Sequence, residues 1–175
     1  GLLRTMLVNG DIGIAAGAEI HSDAAAMIRV KNDMLGVLDL GRYDSRSGTM
    51  VRVGRDLGGT TQIDGKSRVM VTRDMLAGSE LSVGENLELL RVGGAARGNM
   101  HVDGGARTVL FGSLEQAVLT TAFDVLRMTV NGTVDRALIQ IGAHRGDEEQ
   151  GPDQRGNCAD DVEEKPHHLS LIHIS

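Results

Sequence analysis

Apolar residues recur along this chain in one short signature: an apolar position, two residues, a small or acidic residue, then a second apolar position. It reads Val8-Asn-Gly-Asp-Ile12, Val30-Lys-Asn-Asp-Met34, Val53-Gly-Arg-Asp-Leu57 and Val71-Thr-Arg-Asp-Met75. It continues as Val92-Gly-Gly-Ala-Ala96, Leu110-Phe-Gly-Ser-Leu114 and Val130-Asn-Gly-Thr-Val134. The steps between first positions are 22, 23, 18, 21, 18 and 20 residues, a period that marks a repeat array. Two residues before each anchor stand Met6, Ile28, Val51, Val69, Leu90, Thr108 and Met128, and six of these seven are apolar. A small residue follows (Gly36, Thr60, Gly78, Gly98, Ala117, Ala137), then an apolar one (Leu38, Ile63, Leu81, Met100, Val118, Leu138).

Alternation of this kind is the strand period, so each unit predicts two short strands with inward apolar residues. One unit is too short to bury its apolar face, and stacking copies buries it. The expected fold is therefore all-β: a single-stranded, right-handed parallel β-helix, or β-solenoid, of about seven coils of 18–23 residues. The hand follows the general rule for parallel crossovers. At the parallel spacing of about 4.7–4.9 Å, seven coils make a rod of roughly 34 Å. Ser113-Leu-Glu-Gln116, followed by Val118, Ala122 and Leu126, offers a local helical alternative through a capping box.

Composition agrees with a thin core. Aromatic residues are 2% of the chain, so the interior must be filled by aliphatic side chains. Of 24 glycines, 21 lie in residues 1–142, whereas both prolines, Pro152 and Pro166, lie beyond them. Proline is excluded from inner strands, and every middle coil of a solenoid is inner. Residues 1–142 carry 16 acids and 15 bases; residues 143–168 carry eight acids and three bases. The expected organisation is a solenoid over 1–142, truncated at its N-terminus, and an acidic disordered tail over 143–168. The nearly neutral body gives no basic footprint for nucleic acid, and no apolar run is long enough for a membrane span.

The units "MVRVGRDLGGTTQIDG" and "RMTVNGTVDRALIQIG" resemble the Gly-rich parallel β-helix repeats of very large exported or surface proteins of bacteria. The resemblance covers residues 6–142. It implies the solenoid fold and an extracellular or cell-surface setting, and it brings no catalytic residues. Phrases such as "VNGDI" carry a weaker similarity to bactofilins, which are polymerising cytoskeletal β-helices. The last residues, Leu169-Ser-Leu-Ile-His-Ile-Ser175, resemble a translated sequencing adapter and are set apart from fold reasoning.

The strongest candidate site is a column of acids: Asp11, Asp33, Asp56 and Asp74 hold one place in four successive units. At about 5 Å in water, neighbouring carboxylates repel by roughly 0.8 kcal/mol. Two arrangements answer this. A Ca²⁺ ladder would take carboxylate oxygens; alternatively, each Asp hydrogen-bonds its own turn, with Arg55 and Arg73 as counter-charges. His21 and His101 occupy different places in their units, and no His-x-x-x-His spacing exists. Ser113 lacks the second glycine of a nucleophile elbow. Arg145-Gly-Asp147 and Asn131-Gly-Thr133 are short patterns that arise by chance, and the single Cys158 allows neither a disulfide within the chain nor a thiolate metal cluster. A polysaccharide-cleaving β-helix would need paired acids, or an acid beside Lys or Arg, grouped on one face.

These features point to a non-catalytic structural module, a stalk, spacer or adhesive surface. A polysaccharide-binding or polysaccharide-cleaving β-helix and a self-assembling filament are the alternatives. Expected partners are other solenoid ends, through unpaired strand edges, and polysaccharide.

Overall fold

The computed structural model describes residues 2–13 and 18–142, together with the backbone of 170–174. Its strands fall into seven coils. Coils one to three contain β1 (Leu2–Val8) and β2 (Glu19–Ser22), β3 (Ala24–Val30) and β4 (Val37–Leu40), β5 (Thr49–Val53) and β6 (Thr60–Ile63). Coils four to six contain β7 (Ser67–Val71) and β8 (Glu80–Val83), β9 (Leu87–Ala96) and β10 (Asn99–Val102), β11 (Ala106–Glu115) and β12 (Val118–Thr121). Coil seven holds β13 (Val125–Val130), β14 (Val134–Asp135) and β15 (Ala137–Ile141); β16 (Ser170–Ile174) follows.

The odd strands from β1 to β13 stack in order as one parallel sheet, and the even strands from β2 to β12, followed by β15, form a second. A third, narrow ladder runs Ile12, Met34, Leu57, Met75, Ala96, Leu114, Val134, mostly as single-residue bridges. Three ladders thus enclose the core, and the expected β-solenoid is the fold. No helix forms among the described residues: β11 runs through Ser113 to Glu115, and Gln116 turns the corner at φ 56°.

Val8, Val30, Val53, Val71 and Val92 lie directly over one another, as the repeat demands. From Val30 onward these four are buried, as are Ile28, Val51, Val69 and Leu90 in the adjacent column. Each such side chain contributes about 1.5–3 kcal/mol by leaving water.

The repeat reading slips by one residue in coil six. Phe111, not Leu110, stands over Val92, and Val109, not Thr108, stands over Leu90. The cause is a shortened corner: Phe111 to Ser113 spans two residues where Val92 to Ala95 spans three. A one-residue slip turns every side chain to the other face. Val109 and Phe111 are accordingly buried and Leu110 faces out.

The second sheet needs similar corrections. Leu119 and Ile139 point inward and replace Val118 and Leu138, which pair opposite each other and are only partly buried. Ile63 belongs one inward column further on, and Thr61 takes the place beside Leu38 and Leu81. The small-residue corner is Ala18, Gly36, Gly59, Ser79, Gly98 and Ala117, so Gly59 and Ser79 replace Thr60 and Gly78. A Cβ on Gly59 would collide with the Gly36 carbonyl oxygen, which is why the turn keeps glycine there. Thr61 and Ser67 place hydroxyl groups in the interior without a partner among the described residues.

β16 pairs antiparallel with β15, from Ala137 opposite Ile174 to Ile141 opposite Ser170. Pairing and origin are separate properties, since an extended segment can add to any free sheet edge. The acidic segment 143–168, with Arg145-Gly-Asp147 and Cys158, lies outside the described residues.

Candidate functional site

Each aspartate of the predicted column follows a two-residue corner and precedes an inward apolar residue. That position aims its short side chain along the rod. The carboxylates then accept from the next coil: Asp33 N–H donates to Asp11 Oδ1 at 2.9 Å, and Asp56 N–H to Asp33 Oδ1 at 3.0 Å. Asp74 N–H donates to Asp56 Oδ1 at 3.1 Å, and Ala95 N–H to Asp74 Oδ1 at 2.8 Å. The backbone answers in the opposite direction. The amides of Ile12, Met34 and Leu57 donate to the carbonyls of Asp33, Asp56 and Asp74 at 2.8, 2.8 and 2.9 Å.

The four residues are brought together as the sequence suggested, but each bonds the following coil, not its own turn. The carboxylates of Asp33 and Asp56 are only 19% and 15% exposed, so these amides replace much of their hydration. Arg55 Nε lies 3.6 Å from Asp33 Oδ1, and Arg73 Nε 3.6 Å from Asp56 Oδ1. The acids follow one another along a line. Among the described residues no three His, Cys, Asp or Glu side chains are grouped to hold a metal.

A second cluster stands on the outer face of the second sheet. His21 Nε2 lies 3.0 Å from Glu19 Oε2, and Nδ1 lies 3.0 Å from Asp39 Oδ2, directly opposite on β4. Glu19 first, then Asp39, raises the His21 pKa above 6.5, because both hydrogen bonds favour the imidazolium. An open cleft of about 360 Å³ lies beside it, lined by His21, Ser22, Asp23, Asp39, Gly41 and Asp64.

The sequence reading set His21 and His101 in different places; the registers put them in one outward row. That row runs His21, Asp39, Gln62, Ser82, His101, Thr120, Gln140. Unequal corner lengths hid the correspondence. His101 Nε2 contacts Asp103 at 2.7 Å, and Ser113 Oγ donates to Glu115 at 3.1 Å, which itself holds Arg97.

The near-neutral body conceals a division by face. The outer face of the first sheet carries Arg29, Arg52, Arg68, Arg91 and Arg127, with Glu88 as an acid at the bulge of β9. The outer rows of the second sheet carry Glu19, Asp39 and Glu80 and neither Lys nor Arg. Sequence reasoning missed this because net charge sums over faces. Alternate residues of strands such as Ile28-Arg-Val30 and Val51-Arg-Val53 held the signal.

Compared with known proteins, the chain matches no family model, no curated sequence and no solved structure.

Proposed function

We propose that this chain is a non-catalytic solenoid segment, a stalk, spacer or adhesive surface, within a larger exported bacterial protein. The observation that carries the reading is continuity: three ladders run through all seven coils with two local register shifts, and each coil's strands pair only with those of adjacent coils. Such a rod supplies length and stiffness, and its stability grows with each coil added. The ladder aspartates support the non-catalytic reading, because the Oδ1 atom of each accepts from a backbone amide of the next coil. Stretching the full chain between two tethers tests it. A stalk unwinds in a series of similar force events, one coil or group of coils at a time. Release of new reducing ends from a polysaccharide would overturn it.

A second reading has one observation in its favour. The cleft beside His21 gathers Asp23, Asp39 and Asp64 on one face, the minimum that a polysaccharide-cleaving β-helix requires. The same reducing-end assay decides between them. Filament formation is the third reading, through the outer edges of β1 and β2, which no described strand covers, and electron microscopy of the isolated chain tests it.

A further inference from the structure

Arg29, Arg52, Arg68 and Arg91 stand on four successive coils of one flat face, and Arg127 follows two coils later. Seven other bases of the body are engaged: Arg42, Arg55, Lys66, Arg73, Arg97, Arg107 and Arg136 each pair with an acid. The five arginines of this face have no acidic partner among the described residues. Arg29 and Arg52 are direct neighbours across two coils, so the fold sets like charges side by side and leaves them unanswered. Between them lie Met50, Met70 and Leu89, exposed enough to make contact, around two shallow hollows of about 180 and 380 Å³. Glu88, set into the larger hollow, is already held between Lys66 and Arg107.

We infer that this face binds an extended, carboxylate-bearing polysaccharide laid along the rod axis. Guanidinium forks pair with carboxylates in planar, bidentate geometry. The methionine and leucine side chains between them suit the C–H faces of sugar rings. Arg29, Arg52 and Arg91 share one outward row and Arg68 and Arg127 the row two positions back along the strands, so the guanidinium groups stagger across a band whose coil rise of about 4.7–4.9 Å is close to the length of one pyranose residue in an extended chain. Single-stranded nucleic acid fits less well, because the face has no aromatic platform for bases. Duplex DNA fits less well because its major groove admits a helix or a two-stranded ribbon, not a broad flat sheet. A second copy of the chain fits less well too. Two of the three acids on its opposite face, Glu19 and Asp39, are already bound to His21. The inference goes beyond the structural reading and depends only on the first sheet, so a stalk with an inert face would leave that reading intact.

The test is titration of the full chain with polygalacturonate, neutral dextran and an oligonucleotide at several salt concentrations. The proposal expects salt-sensitive binding of polygalacturonate, tighter than either alternative. Arg52→Ser/Arg68→Ser/Arg91→Ser weakens it by at least about tenfold. The corresponding triple Arg→Lys variant keeps the charges, retains folding and binds at an intermediate level because the fork is lost. Gln62→Ala/Asn99→Ala on the opposite face leaves binding unchanged. No polygalacturonate binding, equal binding of dextran, tighter binding of the oligonucleotide, or unchanged binding by the folded Arg→Ser or Arg→Lys variant would each overturn it.

Discussion

Coils one to four and coils five to seven close the same corner in different ways. In the first group an aspartate carboxylate supplies the acceptor that a strand neighbour would otherwise provide, so pairing is cut to single bridges at Met34, Leu57 and Met75. In the second group Ala95, Ser113 and Thr133 occupy the place of the acid, and β9 and β11 run ten residues each straight through. Gly93, Gly94 and Gly112 let those backbones approach, and a Cβ on Gly112 would strike the Gly93 and Gly94 carbonyl oxygens. One corner therefore admits two solutions, a side-chain ladder or a backbone ladder. The side-chain ladder carries a charge on each coil and places Arg55 and Arg73 beside it.

The sharpest way to break this comparison is to remove one rung. Asp56→Ala leaves the part-buried Asp74 amide without its acceptor and should cost about 1–3 kcal/mol in urea unfolding. Ser113→Ala, in the same column of the backbone-paired coils, should cost about 0.5 kcal/mol or less. Equal costs would erase the distinction. Gly94→Ala tests the junction: its Cβ would collide with Asp74 Oδ1 and displace the last rung, with an expected loss of about 1 kcal/mol. An intact Asp74–Ala95 hydrogen bond, read by amide exchange at Ala95, would count against this.

Asp56→Asn separates hydrogen bonding from charge. The amide oxygen still accepts and only the contact with Arg73 is weakened, so the loss should stay below about 1 kcal/mol. A loss matching Asp56→Ala would make charge, not acceptance, the basis of the ladder. Chelation comes next. With the carboxylates answered by amides and arginines, EDTA should leave the melting temperature unchanged; a fall reversed by Ca²⁺ would restore the cation ladder.

The smallest effect concerns His21. Its raised pKa means that its interaction with Glu19 and Asp39 is fully present below about pH 6.5 and is lost as pH rises through the raised value. Proton NMR should show titration above 6.5 in the native chain and closer to 6.5 in Glu19→Gln. An unchanged midpoint in that variant would remove Glu19 as the main cause.

The coil count, the strand period and the column of four acids were all legible in residue spacing, whereas the helical alternative at Ser113–Gln116 was settled only by the pairing of β11. Those features repeat, and a repeat need only be aligned with itself. Where coil length changed, alignment failed: the corner at Gly112 is one residue short, and Leu110 was assigned the place of Phe111. The same blindness hid the shared row of His21 and His101, since the intervening corners differ in length.

By itself the order of residues determined that apolar side chains must face a narrow shared interior, because no single unit can bury them. Only the tertiary structure decided which outward residues become neighbours. Backbone hydrogen bonds between adjacent coils join residues 17 to 25 positions apart, and a shift of one residue exchanges inside for outside. For that reason the aspartates act on the next coil and the arginines of separate strands collect on one face, an outcome that net charge conceals and that strand alternation shows only one strand at a time.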